Sequence, residues 1–185
     1  MSVLKNRKTR ALLAGGVVLG VGATMTLAAW SDSEWATGTF GTGGFTFEGS
    51  TDGTAYSDHA APGTAAALNF QVDASNLTPG DSVQSTYWVK AVGSDASVTI
   101  AKPATATDAD PDLLDALTVA FYNNIDCTGT AITTGDLKDT SVAARTATDG
   151  TALATCIKVT LDADYSNRAA LTTGAVAWEF EATTA

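Results

Sequence analysis

The chain has 185 residues, ten of them basic and twenty acidic, which gives a formal charge of −10 and a pI near 4.2. That balance excludes nucleic acid as the natural partner, because gripping phosphates takes the opposite sign of charge. The length suits one domain with a real core. Few Lys, Arg and Glu residues beside abundant Thr, Val, Gly and Asp favour short strands joined by turns over amphipathic helices.

Lys5, Arg7, Lys8 and Arg10 precede an uncharged run rich in Ala, Gly, Val and Leu, which ends in the acidic, aromatic patch Trp30-Ser31-Asp32-Ser33-Glu34-Trp35. A basic end, an apolar stretch and a polar exit make a signal peptide. Thr26 and Ala28 stand at the −3 and −1 positions of a cut between Ala28 and Ala29, so residues 1–28 read as signal and 29–185 as a single secreted domain. The competing reading is a retained anchor. Gly15, Gly16, Gly20, Gly22, Thr24 and Thr26 dilute the apolar run and weaken it, so membrane contact is expected only through the uncleaved signal. Cleavage removes four basic residues and no acidic one, leaving six against twenty, a net charge of −14. Subunits so charged repel one another, which makes divalent cations or low pH candidate triggers for association.

The order Thr26-Leu27-Ala28-Ala29-Trp30-Ser31-Asp32, then Gly38-Thr39-Phe40 and Phe45-Thr46-Phe47, resembles the SipW-dependent type of signal peptide, in which an aromatic-x-Asp follows the cut and a Gly-Thr strand comes next. Carriers of such signals include the TasA/camelysin family of secreted matrix-fibre proteins and an actinobacterial group of alternate-signal exported proteins. Beyond the signal region the resemblance is one of pattern, in Leu77-Thr78-Pro79-Gly80-Asp81 before a strand and in Trp178-Glu179-Phe180-Glu181-Ala182 near the end. It implies processing by a SipW-type signal peptidase and a place outside the cell or on the surface of a Gram-positive bacterium. It also implies a biofilm matrix role, with the chain itself or a related subunit as partner, and a jelly-roll topology.

Along the exported part, Phe40, Phe45 and Phe47 lie among glycines and threonines, and Phe45-Thr46-Phe47 alternates as a half-buried strand does. Residues 29–48 therefore read as a segment able to pair with its own sheet or to add to a neighbour's. His59 reads as a loop residue, for no His-Glu-x-x-His or Cys/His cluster accompanies it. Leu68, Phe70 and Val72 alternate and predict a strand over 66–74. Thr78-Pro79-Gly80-Asp81 is a turn of the Pro-Gly type. The longest predicted strand, 82–92, is followed by Gly93-Ser94-Asp95 and a return over 96–101, read as a hairpin.

Asp108, Asp110, Asp112 and Asp115 form the most acidic stretch. Its first three carboxylates are weak calcium candidates. The favoured reading makes Asp110 the cap of a short helix from Pro111 to Leu117, since Asp before Pro starts helices well. Strands are predicted over 117–122, 153–161 and 175–182, with a loop containing at most one short strand over 128–152 and a helical turn within 163–171. Cys127 and Cys156, the only cysteines, read as a disulfide in an exported chain, pinning two neighbouring strands.

These elements predict an all-β fold, an antiparallel two-sheet sandwich with one or two short helices. Strand count alone leaves jelly-roll and immunoglobulin-like orders both open, and the resemblance adds the jelly-roll. The functional expectation is a structural surface or matrix protein that assembles into fibres by N-terminal strand exchange, with no cofactor and no catalysis. The alternative is a cell-surface adhesin using exposed aromatics such as Tyr56, Trp88 or Trp178. A secreted peptidase ranks third, because His59 lacks a nucleophile elbow or zinc motif around it.

Overall fold

The computed structural model describes residues 37–38, 43–70, 74–166 and 171–184. The chain divides into two units, Met1–Gly41 and Thr42–Ala185, and every strand and helix named below belongs to the second. The expected cleavage pair Ala28 and Ala29, together with Phe40 and Val72, lies outside the described residues.

The fold is an all-β sandwich. Its larger sheet has five antiparallel strands in the order β1 (Thr46–Ser50), β2 (Ser82–Val92), β8 (Ala152–Leu161), β5 (Leu117–Tyr122) and β6 (Thr133–Asp136). The smaller sheet places β3 (Ala96–Ile100) between β10 (Phe180–Thr184) and β7 (Val142–Ala147). A two-stranded extension, β4 (Ala104–Thr105) with β9 (Val176–Ala177), continues the β3–β10 pairing, joined to it by the Ala101 N–H donating to the Glu179 carbonyl at 2.9 Å.

The core follows from side-chain alternation. On β2, Val83, Ser85, Tyr87, Val89 and Ala91 are buried while the residues between them are not. Ile157, Val159 and Leu161 of β8 and Leu117, Val119 and Phe121 of β5 carry the same inner face across the sheet. They meet Ile100, Val142 and Leu137 in one cluster, and Tyr87, Val89 and Ala91 meet Val98, Ala96 and Ala147 in a second. Phe180 touches both clusters, with its ring centroid 5.1 Å from that of Tyr87.

Several expectations change once partners are known. Strands β2 and β3 do not form a hairpin, because they lie in different sheets. Gly93, at φ +102°, turns the chain across the sandwich instead, and a Cβ there would come within 2.1 Å of the Gly44 carbonyl oxygen. This crossing is braced against the one from β7 to β8. The Asp149 carboxylate accepts from the Gly93 N–H, the Asp95 carboxylate accepts from the Asp149 N–H, and the Gly150 N–H donates to the Ala91 carbonyl, each at 2.8 Å.

The alternating residues Leu68 and Phe70 pack half-buried against the core, but no strand forms over 66–70 because the segment finds no ladder partner. Residues 128–152 hold two strands, β6 and β7, where at most one was expected. The helical turn expected within 163–171 is a plain turn at its described start, closed by the Tyr165 N–H on the Asp162 carbonyl, and residues 167–170 lie outside the described residues. The terminal strand is broken at Trp178-Glu179 into β9 and β10.

Two local readings hold. Asp81 closes the Thr78 turn, accepting from the Thr78 N–H at 2.8 Å and hydroxyl at 2.6 Å. Asp110 caps helix α1 (Pro111–Asp115), its Oδ1 accepting from the Leu113 N–H at 3.0 Å. Leu114 of that helix is buried in the core, so the cap fixes a piece of the sandwich wall. Asp110→Ala is expected to cost about 1 kcal/mol, a typical loss for a helix cap, read as a lower urea midpoint at unchanged slope.

Candidate assembly edge

Strand β1 occupies one edge of the five-stranded sheet and runs antiparallel to β2, with Thr46 opposite Val92 and Ser50 opposite Trp88. Of the three phenylalanines singled out in the leader, Phe45 is 38% exposed and precedes the strand. Phe47 is half-buried against the cluster of Tyr87, Val89 and Ala91. The strand thus carries one apolar anchor into the core.

The far side of β1 is partly covered by the chain's own return. Ser57 pairs with Gly49 through two backbone hydrogen bonds of 2.9 and 3.0 Å. Because the direction of hydrogen bonding alternates along an antiparallel strand, Gly49 and Phe47 turn their backbone groups away from β2. Gly49 gives its groups to Ser57, and Phe47 presents its own at the sheet edge.

A tight loop makes that return possible. The Ser50 hydroxyl donates to the Asp52 carboxylate at 2.9 Å, and the same Asp52 oxygen accepts from the N–H groups of Thr54 at 2.7 Å and Ala55 at 2.9 Å. These donors hold the Asp52 carboxyl well below the usual carboxylate range, the Ala55 N–H contributing most. Asp81 is likewise lowered, by the Thr78 hydroxyl first and then its N–H. A carboxylate with a folded pKa below its unfolded value, here 3.8, stabilises the fold above that value and loses its contribution as pH falls through the folded one. The thermal midpoint is therefore expected to fall on acidification between about pH 5 and pH 2. An Asp52→Asn, Asp81→Asn double variant is expected to show a shallower fall.

His59 lies beside this edge rather than loose in solvent. Its Nε2 is 3.3 Å from the Ser57 hydroxyl and its Nδ1 is 3.5 Å from the Tyr87 hydroxyl. Gly49 leaves room for that phenol, since a Cβ on it would stand 1.8 Å from the Tyr87 oxygen. Serine, histidine and tyrosine thus line up at the limit of hydrogen-bond distance, with Ser57 exposed. The arrangement ties the loop to Tyr87. A single histidine in the sequence gave no sign of it.

The other predicted residues fall in separate places. Cys127 and Cys156 are disulfide-bonded, with Cα atoms 5.3 Å apart. Cys156 lies on β8 opposite Tyr122 of β5 and Thr86 of β2. Cys127 sits in the loop after β5, in the left-handed region at φ 51°, and that loop also receives the Thr86 hydroxyl on the Ile125 carbonyl at 2.9 Å. The disulfide therefore straps a loop over the outer face of the sheet. Asp110 spends an oxygen on its cap, and among the described residues no three His, Cys, Asp or Glu side chains gather in a way that could hold a metal ion.

Of the aromatics, Trp178 packs against the core. Trp88 faces outward from β2, and a Cβ on Gly53 would lie 3.1 Å from its indole. Tyr56 carries the Lys90 ammonium 4.1 Å above its ring. Trp88 also borders a shallow hollow of about 270 Å³ with Asn69, Gln84 and Thr86.

These features define a disulfide-strapped, all-β sandwich domain whose N-terminal strand forms a sheet edge. The chain matches no protein-family model and no curated protein. Among the described residues no helix is long and apolar enough to cross a membrane.

Proposed function

We infer that the chain is a secreted structural protein of the bacterial surface or biofilm matrix, which assembles into fibres by exchanging its N-terminal strand between copies. The observation that carries this reading is the position of β1. A five-residue strand at the edge of the sheet, preceded by Gly43 and Gly44 and holding one half-buried anchor in Phe47, covers one end of the eleven-residue β2. Withdrawing β1 bares the backbone of Trp88 to Val92, and the same strand of a second copy satisfies it with the same register. Exchange then replaces one ladder by an identical one. Its driving force is the high effective concentration of strands in a growing fibre rather than any new contact.

Export by a SipW-type signal peptidase fits this scheme, since the signal tethers the donor segment until cleavage. The acidic surface opposes assembly by charge repulsion, so neutralisation by calcium or mild acid promotes it. The test compares a chain starting at Ala29 with one starting at Gly49, by light scattering and negative-stain microscopy, with and without calcium, at neutral and mildly acid pH. Fibres from the longer chain alone support strand exchange. Monomers of both under every condition refute it and favour the second reading, an adhesin. That reading rests on Trp88 and its polar hollow on the outer face, the kind of aromatic platform that stacks on a sugar ring or a partner side chain.

A further inference from the structure

A cavity of about 540 Å³ opens at the end of the sandwich beside the Thr78 turn. Its floor is core: Val83, Leu137 and Val159 are buried side chains of the inner faces, and all three line it. Ala74 stands exposed among its lining residues. Cavities of this size with apolar walls and a few convergent polar groups are the usual form of a small-molecule site.

The polar groups are the informative part. The Tyr165 hydroxyl and the Trp178 indole Nε1 are both buried, both belong to residues lining this cavity, and neither has a hydrogen-bond partner. Buried polar groups in proteins are almost always paired. Two that are unpaired and line one cavity mark it as built to receive an acceptor. The indole N–H can only donate, and a phenol can donate as well. Burial first, and then Asp110 and Asp112, hold the Tyr165 hydroxyl above its ordinary pKa, so it keeps its proton. The same two carboxylates repel an anion.

We propose that this cavity binds an uncharged molecule with an apolar body and a hydrogen-bond acceptor, an ester or ketone of fatty-chain length, its acceptor held by the Trp178 N–H and the Tyr165 hydroxyl. Binding here is independent of fibre formation and holds whether or not the chain assembles.

The experiment uses the full chain and the uncharged fluorophore N-phenyl-1-naphthylamine, displaced by methyl decanoate, by undecane, which lacks the acceptor, and by decanoate, which carries a charge. Methyl decanoate is expected to bind at least about fivefold more tightly than either competitor, the equivalent of one hydrogen bond. Tyr165→Phe and Trp178→Phe are each expected to weaken the ester about three- to tenfold while leaving undecane unchanged. Ala74→Phe, at an exposed position, is expected to weaken ester and alkane together. A bromine-substituted methyl decanoate is expected to quench indole emission in the native chain, with that quenching lost in Trp178→Phe. The proposal is overturned if methyl decanoate fails to displace the fluorophore, if decanoate binds as well, or if the ester keeps its advantage in both phenylalanine variants. Should either of those variants melt early, the Ala74→Phe result decides, and undiminished binding there also overturns it.

Discussion

Replacing Cys127 and Cys156 together by alanine is expected to lower unfolding free energy by about 3 to 4 kcal/mol, the closure entropy of a loop of this length. The bond spans a sequence separation of 29 residues. Within that span lie β6, β7 and the first half of β8, so the freed loop includes elements of both sheets. Loss of contacts adds to the entropic term, because Cys156 is fully buried and Cys127 nearly so. For a domain of this size the thermal midpoint drops by roughly 6 to 16 °C. Calorimetry of the double variant checks this, and a midpoint within a degree of the native one would show that the strapped loop adds nothing to the folded state.

Phe121→Ala is expected to cost about 3 to 5 kcal/mol, the range for deleting a buried ring. Phe121 is completely buried in the middle of β5, between the neighbours β8 and β6, and it belongs to the larger core cluster. The surrounding wall is the rigid inner face of a sheet, which cannot collapse into the space left behind. Urea unfolding followed by tryptophan emission reads the loss as a lower midpoint at an unchanged slope. By contrast, the exposed ion pairs Lys102–Asp139 and Lys138–Asp115 add little to stability, as is usual for surface pairs.

The strands legible in the sequence are those with a continuous apolar face. Val119 and Phe121 on β5, Ile157, Val159 and Leu161 on β8, and Val83, Tyr87 and Val89 on β2 all alternate, and all are buried. Strand β6 was illegible because Thr133-Thr134-Gly135-Asp136 has no apolar residue, and its place comes entirely from pairing with β5. On β7 the inner position between Val142 and Ala147 is taken by Arg145, whose guanidinium donates to the Thr155 hydroxyl at 2.6 Å. A cation inside a sandwich hides the alternation that would have marked the strand. The opposite error arose at Leu68 and Phe70, where alternation reports burial correctly but pairing was assumed with it. Sequence pattern reads faces, and only partners make strands.

At the candidate edge, the half-buried place of Phe47 and the disulfide pair were legible. The return of Ser57 onto Gly49 and the contact of His59 with Tyr87 were not, because each joins residues whose own neighbourhoods carry no signal. The cavity was hidden for the same reason. Trp178 reads as an ordinary core residue until its unpaired N–H is seen beside that of Tyr165 in one wall.

The most direct test of strand exchange locks β1 onto its own β2. Thr46 and Val92 are register partners and both are exposed, so a Thr46→Cys, Val92→Cys double variant can close a cross-strand disulfide at a separation natural to the ladder. Thr46→Ala, Val92→Ala serves as the unlocked control. Both are taken as the chain starting at Ala29 and followed by light scattering and microscopy under the conditions in which the native chain forms fibres. The account predicts fibres from the control and only monomers from the locked chain, since a strand bonded to its own sheet cannot be lent to a neighbour. Fibres from the fully oxidised, locked chain would contradict it.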